Sequence, residues 1–154
     1  MDLALERLQS LTVRDVMARE VVWIPARLGM AEVAHLLRRH DLSSAPVVDA
    51  QGACVGMLSA ADFLRRDEQN VEDASARVRP QWRPEDVAET FMSRAVQSVP
   101  LNAPLLQTAR IMTAQHVHHL PVIDHHGRPV GMVSTMDVIA AMLNALHEQA
   151  IASG

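Results

Sequence analysis

The sequence GMLSAAD at residues 56–62 recurs as GMVSTMD at residues 131–137, with glycine, methionine, serine and aspartate at the same four positions. A shorter motif precedes each copy, PVVD at residues 46–49 and PVID at residues 121–124. Both pairs of motifs are separated by the same 75 residues. A repeat at a fixed offset indicates two copies of one structural unit, so it decides how every other element is interpreted.

The same offset aligns residues 17–64 with residues 92–139 without a gap, and 14 of these 48 positions are identical. The identities cluster in three places, at the two motifs and at a Met-x-Arg sequence that opens each copy at residues 17 and 92. Clustering of this kind indicates structural constraint on those positions rather than chance similarity.

Each copy has the pattern of one small α/β unit. Pro25 and Pro100 end short extended segments, because the residue before a proline disfavours the helical conformation. A helical apolar spacing follows, then two short apolar runs joined by a glycine turn, and then Ser59 or Ser134 as the N-cap of a further helix. The predicted order is β-α-β-β-α, with elements at residues 21–24, 30–40, 45–49, 55–58 and from 60, and at 96–99, 105–115, 120–124, 130–133 and from 135.

A copy of about 50 residues is too small to bury a good core alone, so the two copies are expected to pack sheet to sheet. The predicted domains are residues 12–66 and 87–146. Residues 67–86 form a linker with a short helix at 68–76, and residues 1–11 supply an N-terminal helix at Leu3–Leu8. The last helix is predicted to extend to about Gln149.

Composition excludes several classes of function. The 154 residues carry a net charge of −4, and only 3% are aromatic, with no tyrosine. A surface that attracts or stacks on nucleic acid is therefore not expected. No apolar run reaches the roughly 18 residues that a membrane span needs. The single cysteine, Cys54, can form no internal disulfide. A cytoplasmic protein is expected.

With these motifs in place, residues 44–62 and 119–137 resemble the cystathionine β-synthase (CBS) domain, and the resemblance extends over about residues 12–146. It implies an α/β fold in which two β-α-β-β-α CBS repeats pack as a pseudo-twofold module, and such modules commonly dimerise into a flat disk. It also implies a regulatory role rather than an enzymatic one. Many family members bind AMP, ADP, ATP or S-adenosylmethionine in clefts between the repeats, without a required cofactor. The resemblance names no regulated partner.

The chemistry of the motif suits such a ligand. A serine at a helix start places its hydroxyl beside unpaired backbone N–H groups and the positive end of the helix dipole, which favours an anion. An aspartate one turn later can accept from both hydroxyls of a ribose. Gly56 and Gly131 allow close backbone approach. In the alternative interpretation, Ser59 and Ser134 are N-caps and nothing more.

The resemblance implies two crossed ligand sites, each with residues of both copies. The first contains Met57, Ser59 and Asp62 with Gln97, Ser98, His118, His119 and Leu120. The second contains Met132, Ser134 and Asp137 with Val22, Trp23, Ser43, Ser44 and Ala45.

The two sites are expected to be unequal, because His118 and His119 stand where the first copy has Ser43 and Ser44. Phosphate is expected to bind more tightly at the first site, and protonation of the histidines below about pH 6.5 is expected to strengthen this binding. Five histidines lie between His116 and His126. Zinc binding through His116, His118 and His125 is a less favoured alternative.

Two further interpretations remain open. Histidine, serine and aspartate converge near the first site, so a hydrolase is possible, although no nucleophile–base pair can be assembled from the motifs. The protein could also be a structural homodimer with empty pockets. The apolar faces of Leu3–Leu8 and of the last helix, which carries Val138, Ile139, Met142 and Leu146, are either core or a dimer surface, and the dimer surface is favoured.

Overall fold

The computed structural model describes residues 2–63, 82–94 and 97–154. The chain forms two compact units. The central unit consists of residues 22–96, and the terminal unit joins residues 1–21 to residues 97–154. Each unit contains one three-stranded sheet in which the second strand is the middle one.

In the central unit, strand β1 pairs in parallel with β2, and β2 pairs in antiparallel with β3. Helix α3 packs Met30, Val33 and Leu37 against this sheet. Residues 60–63, directly after β3, are helical, and a short helix, α4, lies within residues 82–94. The bounds are β1 Ile24–Pro25, α3 Met30–Arg39, β2 Ser44–Val48, β3 Cys54–Ser59 and α4 Ala88–Phe91.

The terminal unit repeats this plan and adds an N-terminal helix, α1, and a last helix of 19 residues, α6. Strand β4 pairs in parallel with β5, and β5 pairs in antiparallel with β6. Helix α1 lies on the last helix, α6, where the Ala4 N–H donates to Gln149 Oε1 at 2.8 Å. The bounds are α1 Leu3–Ser10, α2 Val13–Val16, β4 Val99–Pro100, α5 Leu105–Gln115, β5 His119–Ile123, β6 Pro129–Ser134 and α6 Thr135–Ser153.

These elements follow the predicted β-α-β-β-α order in both copies. The first strand of each copy lies later than expected, because pairing runs through the proline: Pro25 is in register with Val48, and Pro100 with Ile123. Helix α6 continues to Ser153, four residues beyond the predicted end. The helix predicted at residues 68–76 lies outside the described residues.

The compact units cut across the sequence repeat. The segment Thr12–Ala18, which opens the first copy, packs in the terminal unit with the sheet of the second copy. Ala18 forms an antiparallel bridge with Met132, with N–H to O distances of 2.9 and 3.0 Å. In the central unit Ser93 forms the matching bridge with Met57. Each sheet therefore receives a fourth extended segment from the opening of the other copy.

The two motif glycines make this exchange possible. A Cβ atom on Gly131 would lie 2.5 Å from the Met17 sulfur and 2.9 Å from the Ala18 carbonyl oxygen. On Gly56 it would lie 2.6 Å from the Met92 sulfur. The close approach expected at these glycines is thus made by the chain itself, and it explains why Met-x-Arg and the glycine motif recur together.

Candidate functional site

The terminal unit presents its motif at the junction of β6 and α6. Ser134 ends the strand and is the N-cap of a 19-residue helix. Its N–H donates to Asp137 Oδ2 at 2.8 Å, and its Oγ accepts the Asp137 N–H at 3.2 Å. This reciprocal pair is a capping box. The cap fixes the Asp137 carboxylate beside the helix start, and the Ser134 hydroxyl hydrogen can still be donated to a ligand.

The two histidines lie against this helix start because β5 runs antiparallel to β6. His119 is in register with Ser134. The Thr135 N–H donates to the His118 carbonyl oxygen at 3.0 Å. A cavity of about 330 Å³ adjoins them, and its walls include Met112, His116, His118 and Thr135. Sequence reasoning missed Thr135, although its position directly after the motif serine could have marked it.

The pKa of His119 is lower than that of an ordinary histidine, whereas the sequence analysis assumed that it becomes protonated near pH 6.5. His119 is half-buried, whereas His118 is exposed. Burial lowers the pKa of His119, the neighbouring His118 lowers it further, and the Asp137 carboxylate raises it in part. His119 is therefore neutral over more of the physiological range than an ordinary histidine.

The central unit contains the same constellation with serines in place of histidines. Ser44 is in register with Ser59, and the Ala60 N–H donates to the Ser43 carbonyl oxygen at 2.9 Å. Asp62 Oδ2 accepts both from the Ser59 N–H at 2.7 Å and from the Ser59 hydroxyl at 3.3 Å. The Asp62 side chain is buried, at 3% exposure. Here the serine hydroxyl is already engaged as a donor within the unit.

The structure thus brings together Ser44, Ser59 and Asp62 in one unit, and His119, Ser134 and Asp137 in the other. Within each unit this association arises from the antiparallel hairpin, which returns the end of the second hairpin strand to the start of the first. The crossed grouping of the sequence analysis stays a prediction.

The other predicted ligand residues have varied surroundings. The side chains of Ala45 and Leu120 are buried in the cores of their own units. Met57 is also buried, and Met132 is half-buried. Exposure to a ligand is greater at the residues before β1 and β4: Trp23 is 54% exposed, Gln97 is exposed, and Val22 and Ser98 are half-buried.

Val138 requires a correction. It was expected to share an apolar face with Ile139, Met142 and Leu146, but it is buried in the core of the terminal unit. Helix α6 turns Val138, Ala141 and Ala145 inward, whereas the other three residues are exposed.

The histidine cluster does not assemble as a metal centre in the described part of the chain. Within residues 2–63, 82–94 and 97–154, no three His, Cys, Asp or Glu side chains are placed to share an ion. The rings of His125 and His126, on the β5–β6 turn, have centroids 3.9 Å apart and are tilted by 42° to each other. In the same ranges, no histidine is hydrogen-bonded to Ser59 or Ser134, as a nucleophile–base pair would require.

None of the helices described in these ranges is long and apolar enough to cross a membrane.

Comparison with known proteins identifies the family. The model of the CBS domain matches residues 13–69 and 85–144. The chain therefore belongs to the CBS domain family and contains a tandem pair of these domains. Pairs of this kind are typically regulatory.

One curated relative is the L-aspartate semialdehyde sulfurtransferase of Methanocaldococcus jannaschii, which is 24% identical over 126 residues. The match covers 82% of this chain but only 22% of that protein, so the likeness does not extend to most of the enzyme.

Two solved structures share the fold. The CBS domain pair of protein MJ0100, in complex with 5′-methylthioadenosine and S-adenosyl-L-methionine, has a TM-score of 0.70 at 23% identity and covers 84% of this chain and 94% of that chain. CBSX2 in complex with AMP has a TM-score of 0.72 at 23% identity and covers 88% and 98%. At this identity the likeness demonstrates the fold.

Proposed function

We propose that the chain is a regulatory module that binds an adenosine-containing ligand, namely AMP, ADP, ATP or S-adenosylmethionine. The observation that carries the proposal is the serine–aspartate helix start, which recurs with matching geometry at Ser59 and Asp62 and at Ser134 and Asp137. Ligands on two proteins of the same fold support the choice, since each contains adenosine.

Each helix start has the groups that a ribose phosphate needs. The helix dipole is positive at the helix start, so a phosphate is stabilised there. Some first-turn N–H groups are already paired, since Thr135 donates to His118 and Asp137 donates to Ser134, so the dipole and the serine hydroxyl carry this argument. The aspartate carboxylate accepts hydrogen bonds from the cis-hydroxyls of ribose. Exposed Trp23 offers an aromatic face for stacking on adenine.

The terminal unit is proposed to have the stronger preference for phosphate. Its Ser134 hydroxyl can donate to the ligand, whereas the Ser59 hydroxyl donates to Asp62. His118 and His119 add cationic donors when protonated. A bound phosphate would raise the depressed pKa of His119, so binding is expected to take up protons and to tighten as the pH falls.

The experiment is a calorimetric titration with AMP of the full chain, of His118→Ala and of Ser43→Ala, the matched variant in the central unit. His118→Ala is expected to weaken binding at least tenfold at pH 6 and Ser43→Ala much less. A companion thermal screen uses AMP, ATP and S-adenosylmethionine, since a ligand at 100 times its Kd adds about 2.7 kcal/mol of stability. If none of the three ligands shifts the melting temperature, the proposal is wrong.

A second proposal, compatible with the first, is homodimerisation through the terminal unit. Large apolar side chains are exposed on α1 and α6, and Leu143 is 62% exposed. The others on these helices are Leu3, Leu5, Met136, Ile139, Met142, Leu146 and Ile151. A second copy of the same face would bury them.

Light scattering after size-exclusion chromatography tests the dimer directly. Leu143→Glu is expected to give a monomer, whereas Leu42→Glu, at an exposed leucine of the central unit, is expected to remain a dimer. A monomeric wild-type chain at high concentration would refute this proposal. The protein regulated by the module is a further, unassigned partner.

A further inference from the structure

The central unit has a second cavity, of about 380 Å³, at the opposite end of its sheet from the serine–aspartate motif. Its apolar walls include Pro25, Ala26 and Val48, where β1 and β2 end. Val48 is the last residue of β2 and Ser44 is the first, which places the two regions about 13 Å apart along the strand. The cavity is therefore distinct from the candidate nucleotide site.

Backbone hydrogen bonds hold the walls of this cavity in place. The Ala26 N–H donates to the Val48 carbonyl oxygen at 2.8 Å, and the Glu89 N–H donates to the Ala26 carbonyl oxygen at 2.9 Å. The Gln51 N–H donates to Asp49 Oδ1 at 2.9 Å. Each wall is thus tied to another element or to its own turn, so the cavity is formed before any ligand arrives, which lowers the entropic cost of binding.

Charges of both signs surround the apolar floor. Arg27 lines the cavity together with Asp49 and Glu89. In the described part of the chain the structure shows one ion pair, Arg7 with Glu148, so neither Arg27 nor Glu89 is neutralised by an ion pair there. A guanidinium binds a carboxylate through two parallel hydrogen bonds, and carboxylates accept from an ammonium group.

We propose that this cavity binds a free α-amino acid with a short aliphatic side chain. Its carboxylate would lie against Arg27, its ammonium group against Asp49 and Glu89, and its side chain on Pro25 and Val48. The volume is at the lower end of the range of about 300–1,000 Å³ for ligand pockets, which is sufficient for an amino acid.

The terminal unit lacks this combination at the equivalent positions, 75 residues away. The backbone frame is the same, since the Arg14 N–H donates to the Leu101 carbonyl oxygen at 3.1 Å as Glu89 does to Ala26. However, Leu101 replaces Ala26, Asn102 replaces Arg27 and Arg14 replaces Glu89. The terminal unit therefore has a larger side chain at the floor and lacks the arginine and glutamate of the cavity. We expect one amino-acid site per chain.

The test is isothermal titration of the full chain with L-valine, L-leucine and L-methionine. The comparison ligands are 3-methylbutylamine, which lacks the carboxylate, and 4-methylpentanoate, which lacks the ammonium group. At least one amino acid is expected to bind with a stoichiometry of one, and both leucine analogues at least tenfold more weakly than L-leucine.

Three variants locate the site. Arg27→Gln and Glu89→Gln remove exposed or half-exposed charges and are expected to weaken amino-acid binding at least tenfold, whereas Ala26→Leu fills the floor and is expected to abolish it. Arg14→Gln, the matched change in the terminal unit, should leave the affinity unchanged. The proposal is overturned if no amino acid gives saturable binding, or if Arg27→Gln and Glu89→Gln bind as wild type does.

Discussion

Replacing Gly131 with alanine is the most direct test of the exchanged packing of the repeat. The new methyl group would enter the space between β6 and the segment that bridges to it at Ala18. The Met17 sulfur would lie 2.5 Å and the Ala18 carbonyl oxygen 2.9 Å from the added carbon, so the structure must shift.

The two contacts differ in what it costs to relieve them. The Met17 side chain is flexible and can rotate away. The Ala18 carbonyl oxygen cannot move without weakening its hydrogen bond from the Met132 N–H, which is 3.0 Å long. Overpacking costs about 1–3 kcal/mol, and a weakened backbone hydrogen bond about 1 kcal/mol. The reduced entropy of the unfolded alanine chain returns about 0.4–1 kcal/mol, so a net loss of about 2 kcal/mol is expected.

Urea denaturation followed by circular dichroism measures this loss. Gly29→Ala is the control, because a Cβ atom there would have no heavy atom within 4 Å, and its φ of −63° suits alanine. Gly29→Ala is expected to change the free energy of unfolding by no more than about 0.5 kcal/mol, since the gain in chain entropy opposes the weaker N-cap. Gly131→Ala that is as stable as Gly29→Ala would refute the packing of Met17 and Ala18 described above.

Three other outcomes are expected. His116 and Asp41 adopt left-handed φ angles of 54° and 53° at the ends of their helices. His116→Gly and Asp41→Gly should therefore each stabilise the protein by about 0.5–1 kcal/mol and raise its melting temperature. Lower melting temperatures would contradict this. Because the folded-state pKa of His119 lies below its ordinary value, the unfolded chain binds more protons just below pH 6.5, and stability should fall with pH from about 6.5 down through that lowered pKa. Urea midpoints measured over this pH range should depend less steeply on pH in His119→Asn than in the wild-type chain. An unchanged pH dependence would show that His119 is not responsible. Ser134→Ala removes an N-cap and should cost about 1 kcal/mol in chemical denaturation, whereas no loss would mean that the Asp137 carboxylate alone caps α6.

The local structure of each copy could be predicted because the signals for it are local. Proline before the helix, the glycine turn and the capping serine each act on neighbouring residues, and helix α5 has the predicted bounds, Leu105–Gln115. The repeat strengthened these assignments, since each pattern occurs twice.

The exchange of opening segments could not be predicted from the same information. Thr12–Ala18 and Val87–Ser93 have equivalent positions in the two copies, so either segment could in principle bridge to either sheet. Which arrangement forms depends on the path of the intervening chain and on side-chain fit, as at Met17 against Gly131. The sequence identified the glycine but not the group that approaches it.

The motifs were enough to nominate candidate residues, but not to specify their surroundings. Ser134, Asp137 and His119 were each nominated from the sequence, and their proximity within one unit follows from the register of the β5–β6 hairpin. The lowered pKa of His119 depends on burial, which a sequence pattern does not specify.

The central claim is that the paired serine–aspartate helix starts bind an adenosine-containing ligand. The most direct measurement is a calorimetric titration with AMP, ATP and S-adenosylmethionine of the full chain and of the double variant Asp62→Asn, Asp137→Asn, with circular dichroism confirming that the variant is folded. We expect at least one of the three to bind the wild-type chain and to bind the folded double variant at least tenfold more weakly. Wild-type affinity in the folded double variant, or no binding of any of the three to the wild-type chain, would contradict the claim.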